Sequence, residues 1–480
     1  MSRVLVTHGY FYRLDPKQWR DARPYPPLGT LLMAAVLRED GHDVSVHDTG
    51  LSTGPESLIP VLDAAQPAVV VIHDDGFNYL TKMCLSVMRE STLTMVAVAK
   101  ERGALVLVNS SDSTDHPELY LQAGADAVVL GEGELTTREI LQLHRNGSSI
   151  TGVPGIAFKG AQGLERSAPR PINTDLDAFP MPAWDLIDVD PYRRIWMRSQ
   201  GRFSLNVATT RGCPFKCNWC AKPIYGNRYN SRSPEHVVRE LAYLNERFRP
   251  DHIWMCDDIF GLKPGWVQEF GRLLNERKLR IPFKIQSRAD LLLKTDTIQA
   301  LVEAGLEEVW IGAESGSQKV LDAMDKGITV EQIAQARARL AEHGVRVCFF
   351  LQFGYPGEDE EDVQATIAMV DRLMPDDIGI SVSYPLPGTV FHERVKASMA
   401  HASNWTDSDD LALLFEQGQR PAYYKRLHRY VHRRFRRKQA QRSLLGKASF
   451  AERPRRLLEF LYHGAQEQVH LTRTSRYPDA

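Results

Sequence analysis

Three cysteines stand within eight residues in the segment Thr209-Thr-Arg-Gly-Cys213-Pro-Phe-Lys-Cys217-Asn-Trp-Cys220. At intervals of four and three on a loop, three thiolates can converge on one metal centre. In a reducing compartment such clustering points to metal chemistry rather than to disulfides, and six cysteines in 480 residues are too few for a disulfide scaffold. A closed structural zinc site takes four ligands, usually through a second Cys-x-x-Cys or a Cys/His pair. None is close: Cys256 and Cys348 fall in strand-like segments, where cysteine behaves as a small buried hydrophobe. Three ligands leave one coordination position open, as a reactive centre requires. A zinc site borrowing a distant ligand and an electron-transfer or structural cluster are the other readings of this spacing.

The loop follows a short apolar strand at 205–209, and further strands are expected at 252–256, 283–286, 308–312, 346–352 and 378–384. Helical spacing fills the intervals at 234–248, 266–277, 295–304, 330–343 and 359–374. Six β/α units fit a parallel barrel that is open rather than closed, with its active site at the carboxyl ends of the strands. An earlier series has strands at 3–8, 43–47, 68–73, 104–109 and 127–130 and helices at 28–38, 80–102 and 117–123. This alternation describes a doubly wound sheet, which places ligands beyond its strand ends. Between the two series Pro154, Pro169, Pro171, Pro180, Pro182 and Pro191 argue for an extended connector with one β-ribbon. The expected fold class is therefore α/β. It comprises a Rossmann-like domain (1–145), a Pro-rich connector (146–198), a partial six-unit β/α barrel (199–390) and a helical, Arg-rich C-terminal extension (391–480).

Cys-x-x-x-Cys-x-aromatic-Cys at the end of a first barrel strand resembles the signature of the radical S-adenosylmethionine (SAM) enzymes. The resemblance implies that Cys213, Cys217 and Cys220 hold a 4Fe–4S cluster whose fourth iron binds SAM. Electron transfer would then split the sulfonium and release a 5′-deoxyadenosyl radical. Other strand ends are similar to the family in order along the chain. Asp257 and Asp258 end the second strand, where a carboxylate meets the ammonium group of SAM, and Arg288 follows the third. Gly312-Ala-Glu314-Ser315-Gly-Ser resembles the Gly-x-Glu-Ser-Gly-Ser segment near the ribose and methionine moieties. Gly354-Tyr-Pro-Gly and Pro387-Gly388 match the fifth and sixth strand ends. Singly, a strand-end Asp or Gly reads equally as a turn or helix cap.

The first domain distinguishes two groups within that family. Methylthiotransferases carry three further cysteines there, and this chain has only Cys84. Pro24-Tyr-Pro-Pro-Leu-Gly-Thr-Leu, the Gly131-Glu132-Gly133-Glu134 turn and the connector Leu176-Asp-Ala-Phe-Pro-Met-Pro-Ala-Trp are instead similar to the cobalamin-binding group over about residues 1–390. Arg23-Pro-Tyr-Pro-Pro, His73-Asp-Asp-Gly, Asp115-His-Pro-Glu and Asn404-Trp-Thr-Asp resemble a branch near the anaerobic magnesium-protoporphyrin ester cyclase. The Asp-x-His-x-x-Gly sequence that supplies a cobalt ligand elsewhere is absent, so cobalamin is expected with no histidine from that motif. His73 and His116 stand near strand ends, and the Gly131–Gly133 backbone is expected to approach corrin amides, since glycine permits close contact. A plain nucleotide-binding Rossmann domain is the alternative. His8-Gly9-Tyr10, however, stands where its Gly-x-Gly-x-x-Gly would be.

Hydrophobic residues at 43 %, charged residues at 25 % and a mean hydropathy of −0.32 exclude a disordered, collagen-like or coiled-coil chain. No apolar run approaches the ~20 residues of a membrane span. The N-terminus turns polar too quickly for a signal peptide, so the protein is expected in the cytoplasm. Residues 421–480 hold 15 Lys and Arg against 4 Asp and Glu. There Leu427, Val431 and Phe435 recur every four positions, describing a helix docked on the barrel. A surface for nucleic acid or anionic membrane and a site for an anionic substrate are the alternatives. The function expected is methyl transfer to an unactivated carbon of a small-molecule substrate. An electron donor such as flavodoxin or ferredoxin is implied by the resemblance. Oxidative ring formation, radical RNA modification and a non-enzymatic cobalamin- or cluster-binding regulator remain as alternatives.

Overall fold

The computed structural model describes residues 2–220, 225–399, 404–416, 421–446 and 452–474. The chain divides into two compact units. One comprises Met1–Pro214, Ala221–Ile285 and Asn404–Asp410, and the other Phe215–Cys220, Gln286–Ser403 and Leu411–Ala480.

The first unit holds a seven-stranded sheet of β1 (Arg3–Thr7), β2 (Asp43–His47), β3 (Val69–His73), β4 (Leu105–Asn109), β5 (Ala127–Val129), β6 (Ile156–Gly160) and β7 (Gly163–Arg166). Their order is β2-β1-β3-β4-β5-β6-β7, with the first five parallel and β6 and β7 antiparallel. Strands covered on both faces read as unbroken apolar runs, and Val69–His73 is buried at every position. Helix α1 (Leu28–Glu39) supplies Met33 and Leu37 to the same core as Val4, Val71, Leu107 and Ile156. The expected ribbon of the connector is present as β6 and β7, where it extends the sheet edge.

One expectation fails here. The single helix at 80–102 is broken into Tyr79–Lys82 and α2 (Ser86–Glu101), with Cys84 between them at φ +53°. The interruption is tertiary. Asn404 Nδ2 donates to the Cys84 carbonyl at 2.6 Å, and the Ser86 amide donates to the Trp405 carbonyl at 2.9 Å. That partner supplies one of the acceptors a new helix start lacks. The segment 404–410, expected to be helical, is instead a strap without regular structure, with Trp405 1 % exposed and Ser408 Oγ donating to Asp15 at 2.7 Å. Helix α3 (Glu134–Arg145) follows the glycine-rich turn after β5.

The second series forms a six-stranded sheet. A two-residue ribbon, β9 (Thr210–Arg211) with β10 (Asn230–Ser231), follows its first strand, β8 (Ser204–Val207). Then come β11 (His252–Met255), β12 (Phe283–Ser287), β13 (Leu306–Glu314), β14 (Arg346–Phe353) and β15 (Asp377–Val382). Strand order runs β15-β14-β13-β12-β11-β8, an open half-barrel of six parallel strands. Among its intervening helices are α4 (Pro234–Phe248) and α5 (Glu360–Leu373).

Helices α6 (Pro421–Leu445) and α7 (Arg453–Thr474) form a hairpin in the second unit. Leu427, Val431 and Phe435 are buried as their spacing requires. Part of the basic face is neutralised within the unit. Arg434 and Lys438 each reach Asp371 of α5 at 2.7 Å, and Arg436 reaches Asp377 at 2.8 Å. Among the described residues no helix is long and apolar enough to cross a membrane.

Candidate functional site

The cysteine loop leaves β8, whose four residues are all buried, and its entry is fixed by a carboxylate. Asp257, at the end of β11, is 1 % exposed. Its Oδ1 accepts from the amides of Thr209 (2.7 Å) and Thr210 (2.6 Å) and from the Thr210 hydroxyl (2.9 Å), while Oδ2 accepts from the Thr209 hydroxyl (2.9 Å). Burial pushes its carboxyl up to about 6, against the pull of those four bonds. The next turn demands glycine. Gly212 sits at φ +75°, and a Cβ there would lie 2.3 Å from the Arg228 carbonyl oxygen.

In the second unit Asn218 pins the rest of the loop. Its amide donates to the Met324 carbonyl (3.1 Å), Nδ2 donates to Ala323 O and Asp325 Oδ2 (2.8 Å each), and Oδ1 accepts from the Tyr355 hydroxyl (2.6 Å). The Cys220 amide turns back onto the Cys217 carbonyl at 3.3 Å. Beside Cys217 stands Arg288, with Nη1 3.8 Å from the thiol sulfur and its guanidinium 3.8 Å above the Phe215 ring. Asp290, Lys326 O and Gly327 O hold the remaining guanidinium donors. Lys326 and Glu314 make a buried ion pair at 2.7 Å, and Glu314 has the left-handed φ of +56°. Burial alone would lower the Lys326 ammonium. Glu314 and the neighbouring Cys217 carry it above its ordinary value.

Cys213, Cys217 and Cys220 are half-buried, and no disulfide joins the six cysteines. Among the described residues no three His, Cys, Asp or Glu side chains are grouped so as to hold one metal ion. As donors the three nevertheless suit an iron–sulfur cluster. They are soft sulfur ligands, half-exposed, with a guanidinium beside one of them.

In the first unit the carboxyl ends of β3, β4 and β5 carry a second constellation. Asn109 Nδ2 donates to the carbonyls of Val129 (2.8 Å) and Gly131 (3.0 Å). A Cβ at Gly133 would lie 2.5 Å from Asn109 Oδ1 and 2.9 Å from His73 Cε1. Glycine is thus required at 133 by the close approach of the chain's own side chains. Burial lowers His73 to about 4, and its Nδ1 has no hydrogen-bond partner among the described residues. Arg211 is buried between Glu132 (3.1 Å) and Glu134 and lies over the rings of Phe77, Phe179 and Tyr225. The Asn173 amide takes the other Glu132 oxygen at 2.5 Å. Burial raises Glu132. It would raise Glu134 too, but Arg211 and His73 bring that carboxyl below its usual range.

Several expected ligand contacts are therefore occupied within the chain. Asp257 is a loop clamp, Asp258 pairs with Lys82 at 2.6 Å, and Glu314 pairs with Lys326. Ser315 Oγ lies 3.0 Å from Thr366 Oγ1, and the Gly354 amide donates to Glu358 at 2.5 Å. Of the expected mouth residues, Arg288 stands beside a cysteine of the loop. His116 lies half-exposed near Glu118. Arg211, Asn218 and Lys326 were not legible as site residues. Arg211 and Asn218 were quoted within the cysteine motif but signalled nothing, since their partners are 77 and 107 positions away.

Residues 207–370 match the family model of the Radical SAM superfamily. Those residues form a radical SAM domain. The chain is 29 % identical over 384 residues to an uncharacterised methyltransferase of Pyrococcus horikoshii, covering 79 % of this chain and 81 % of the relative. It is 24 % identical over 325 residues to the anaerobic magnesium-protoporphyrin IX monomethyl ester cyclase of a Synechocystis species, covering 67 % and 63 %. Its fold is that of the cobalamin-dependent SAM radical enzyme OxsB, solved with aqua-cobalamin and SAM bound. There the TM-score is 0.74 at 17 % identity, over 98 % of this chain and 72 % of that one. The expected family, fold class and enzymatic nature are borne out.

Proposed function

We propose that this protein is a cobalamin-dependent radical SAM methyltransferase acting on an unactivated carbon of a small molecule. Cys213, Cys217 and Cys220 would hold the 4Fe–4S cluster, and the three-thiol loop fixed at Asp257 and Asn218 is the observation that carries the reading. Bound together, the cluster, SAM and methylcobalamin supply the electron, the 5′-deoxyadenosyl radical and the methyl group, chemistry that no side chain provides. Arg288 places positive charge beside Cys217, where an anionic sulfur ligand and its cluster would sit. Lys326 and Glu314 hold a buried, mutually neutralised floor next to it. The domain of residues 1–145 would take cobalamin at the strand ends around His73, Asn109 and the 131–134 turn. A buried His73 held to about 4 is neutral at physiological pH. The six unpaired-by-disulfide cysteines suit a reducing cytoplasm, where a flavodoxin or ferredoxin would deliver the electron.

Likeness to the ester cyclase over two thirds of the chain supports oxidative ring formation as a second reading. The RNA-modifying reading loses support, because Arg434, Arg436 and Arg437 of α6 face Asp371, Asp377 and Glu467 of the chain itself. The test is anoxic reconstitution, with analysis of iron, sulfide and cobalt, followed by turnover with SAM labelled in its methyl group. Label in the product is expected. Cleaved SAM with an unlabelled, dehydrogenated product would establish the cyclase reading. Zinc in place of iron would remove both.

A further inference from the structure

Helix α7 is built with its polarity reversed. A helix packed on a water-soluble protein turns its apolar stripe inward and its charges outward. Here Leu457, Leu458, Leu461, Tyr462 and Val469 share one face and are 49, 68, 57, 54 and 42 % exposed. The opposite face is covered and mostly polar, with Phe460 under Arg437. Glu467, 3 % exposed, is held by Arg434 at 3.1 Å and Arg437 at 2.5 Å, and His463 meets Arg433 at 3.3 Å. Those ion pairs dock α7 on α6, so the outward turn of the leucines is fixed by a buried charge network rather than by chance rotation.

The charge beside this face selects its partner. Arg453 and Arg455 stand exposed at the start of α7, and Arg442 stands exposed near the end of α6, where Leu445 is 81 % exposed. Against them stand Glu452 and a Glu459 that Arg455 and Arg456 already engage. Five apolar side chains on one helix are few beside the ~20–30 residues a side of a stable protein interface. A leucine and tyrosine face rimmed by arginine is the composition of a helix lying in a lipid interface, apolar side down among the acyl chains and cations at the headgroups. We propose that α7 lies flat on an anionic phospholipid surface and holds the enzyme there. The inference is independent of whether the reaction is methylation or ring formation.

The test uses the full chain and sedimentation with phosphatidylcholine vesicles, with and without phosphatidylserine. Binding to the anionic vesicles is expected, falling with added salt and several-fold weaker on phosphatidylcholine alone. Leu458→Asp with Leu461→Asp should reduce it by about tenfold or more while leaving the circular dichroism spectrum unchanged, since both positions are exposed. Tyr462→Trp should shift its emission to the blue on the same vesicles. No partition onto either vesicle, or partition that the double variant retains, would overturn the proposal. A dimer in sedimentation velocity that the double variant dissolves would assign the face to a second copy and overturn it equally.

Discussion

Two loops leave the carboxyl ends of parallel strands in this protein, and they are held in opposite ways. The 131–134 turn is fixed through its own side chains, with Glu132 and Glu134 clasping a buried Arg211 and Gly133 pressed on Asn109 and His73. The cysteine loop is fixed at its edges, through the Asp257 clamp and the Asn218 pin, and its three thiols stay half-exposed. The first arrangement commits its polar groups to Arg211 and Asn173 and makes a rigid wall. The second leaves its chemical groups available for a cofactor, which is the division a cofactor enzyme needs.

The largest effect should come from the loop whose side chains are available. Cys217→Ala should abolish cluster loading and SAM cleavage, read by iron content and 5′-deoxyadenosine, with the thermal transition little moved. Arg211→Ala should do the reverse in kind. It leaves Glu132 and Glu134 buried without a cation and should cost about 3–5 kcal/mol in denaturant unfolding. Equal sensitivity of stability to both substitutions would dissolve the contrast. Gly212→Ala forces a Cβ onto the Arg228 carbonyl at a left-handed φ and should cost about 1–3 kcal/mol, with poorer cluster loading.

Asp257 sharpens the comparison through pH. Its folded-state pKa of about 6 lies above the ordinary 3.8, so the folded chain binds this proton more tightly than the unfolded chain. The stability it confers is full below the unfolded value and is lost as pH rises through 6. The penalty of Asp257→Asn should therefore be about 1 kcal/mol smaller at pH 7 than at pH 5, measured by paired urea titrations. The smallest effect is expected at α6. Arg436 is partly exposed where it meets Asp377, and Arg436→Ala should cost less than about 1 kcal/mol.

Much of this was legible in the sequence. Strands β1, β3 and β4 announce themselves as apolar blocks because both faces are covered, and the cysteine spacing names its chemistry because few other patterns gather three thiols. What was illegible depended on distant partners. Nothing in residues 80–102 reports that Asn404 will interrupt their helix. Asp257 reads as a mouth carboxylate, yet the Thr209 and Thr210 amides claim it from across the sheet. Nothing in the spacing of the α7 leucines reports which way they turn, and the Glu467 network decides it.

The strap at 404–410 also bears on how the chain is made. Asn404 meets the carbonyl of Cys84 across 320 positions of sequence. During synthesis at about 5–20 residues per second, α2 waits roughly 15–65 s for the partner that completes its start. Through that interval the amino-terminal sheet stands on the ribosome with one helix untied. Slowing translation between these two segments should therefore raise the burden on chaperones more than slowing it anywhere after residue 410.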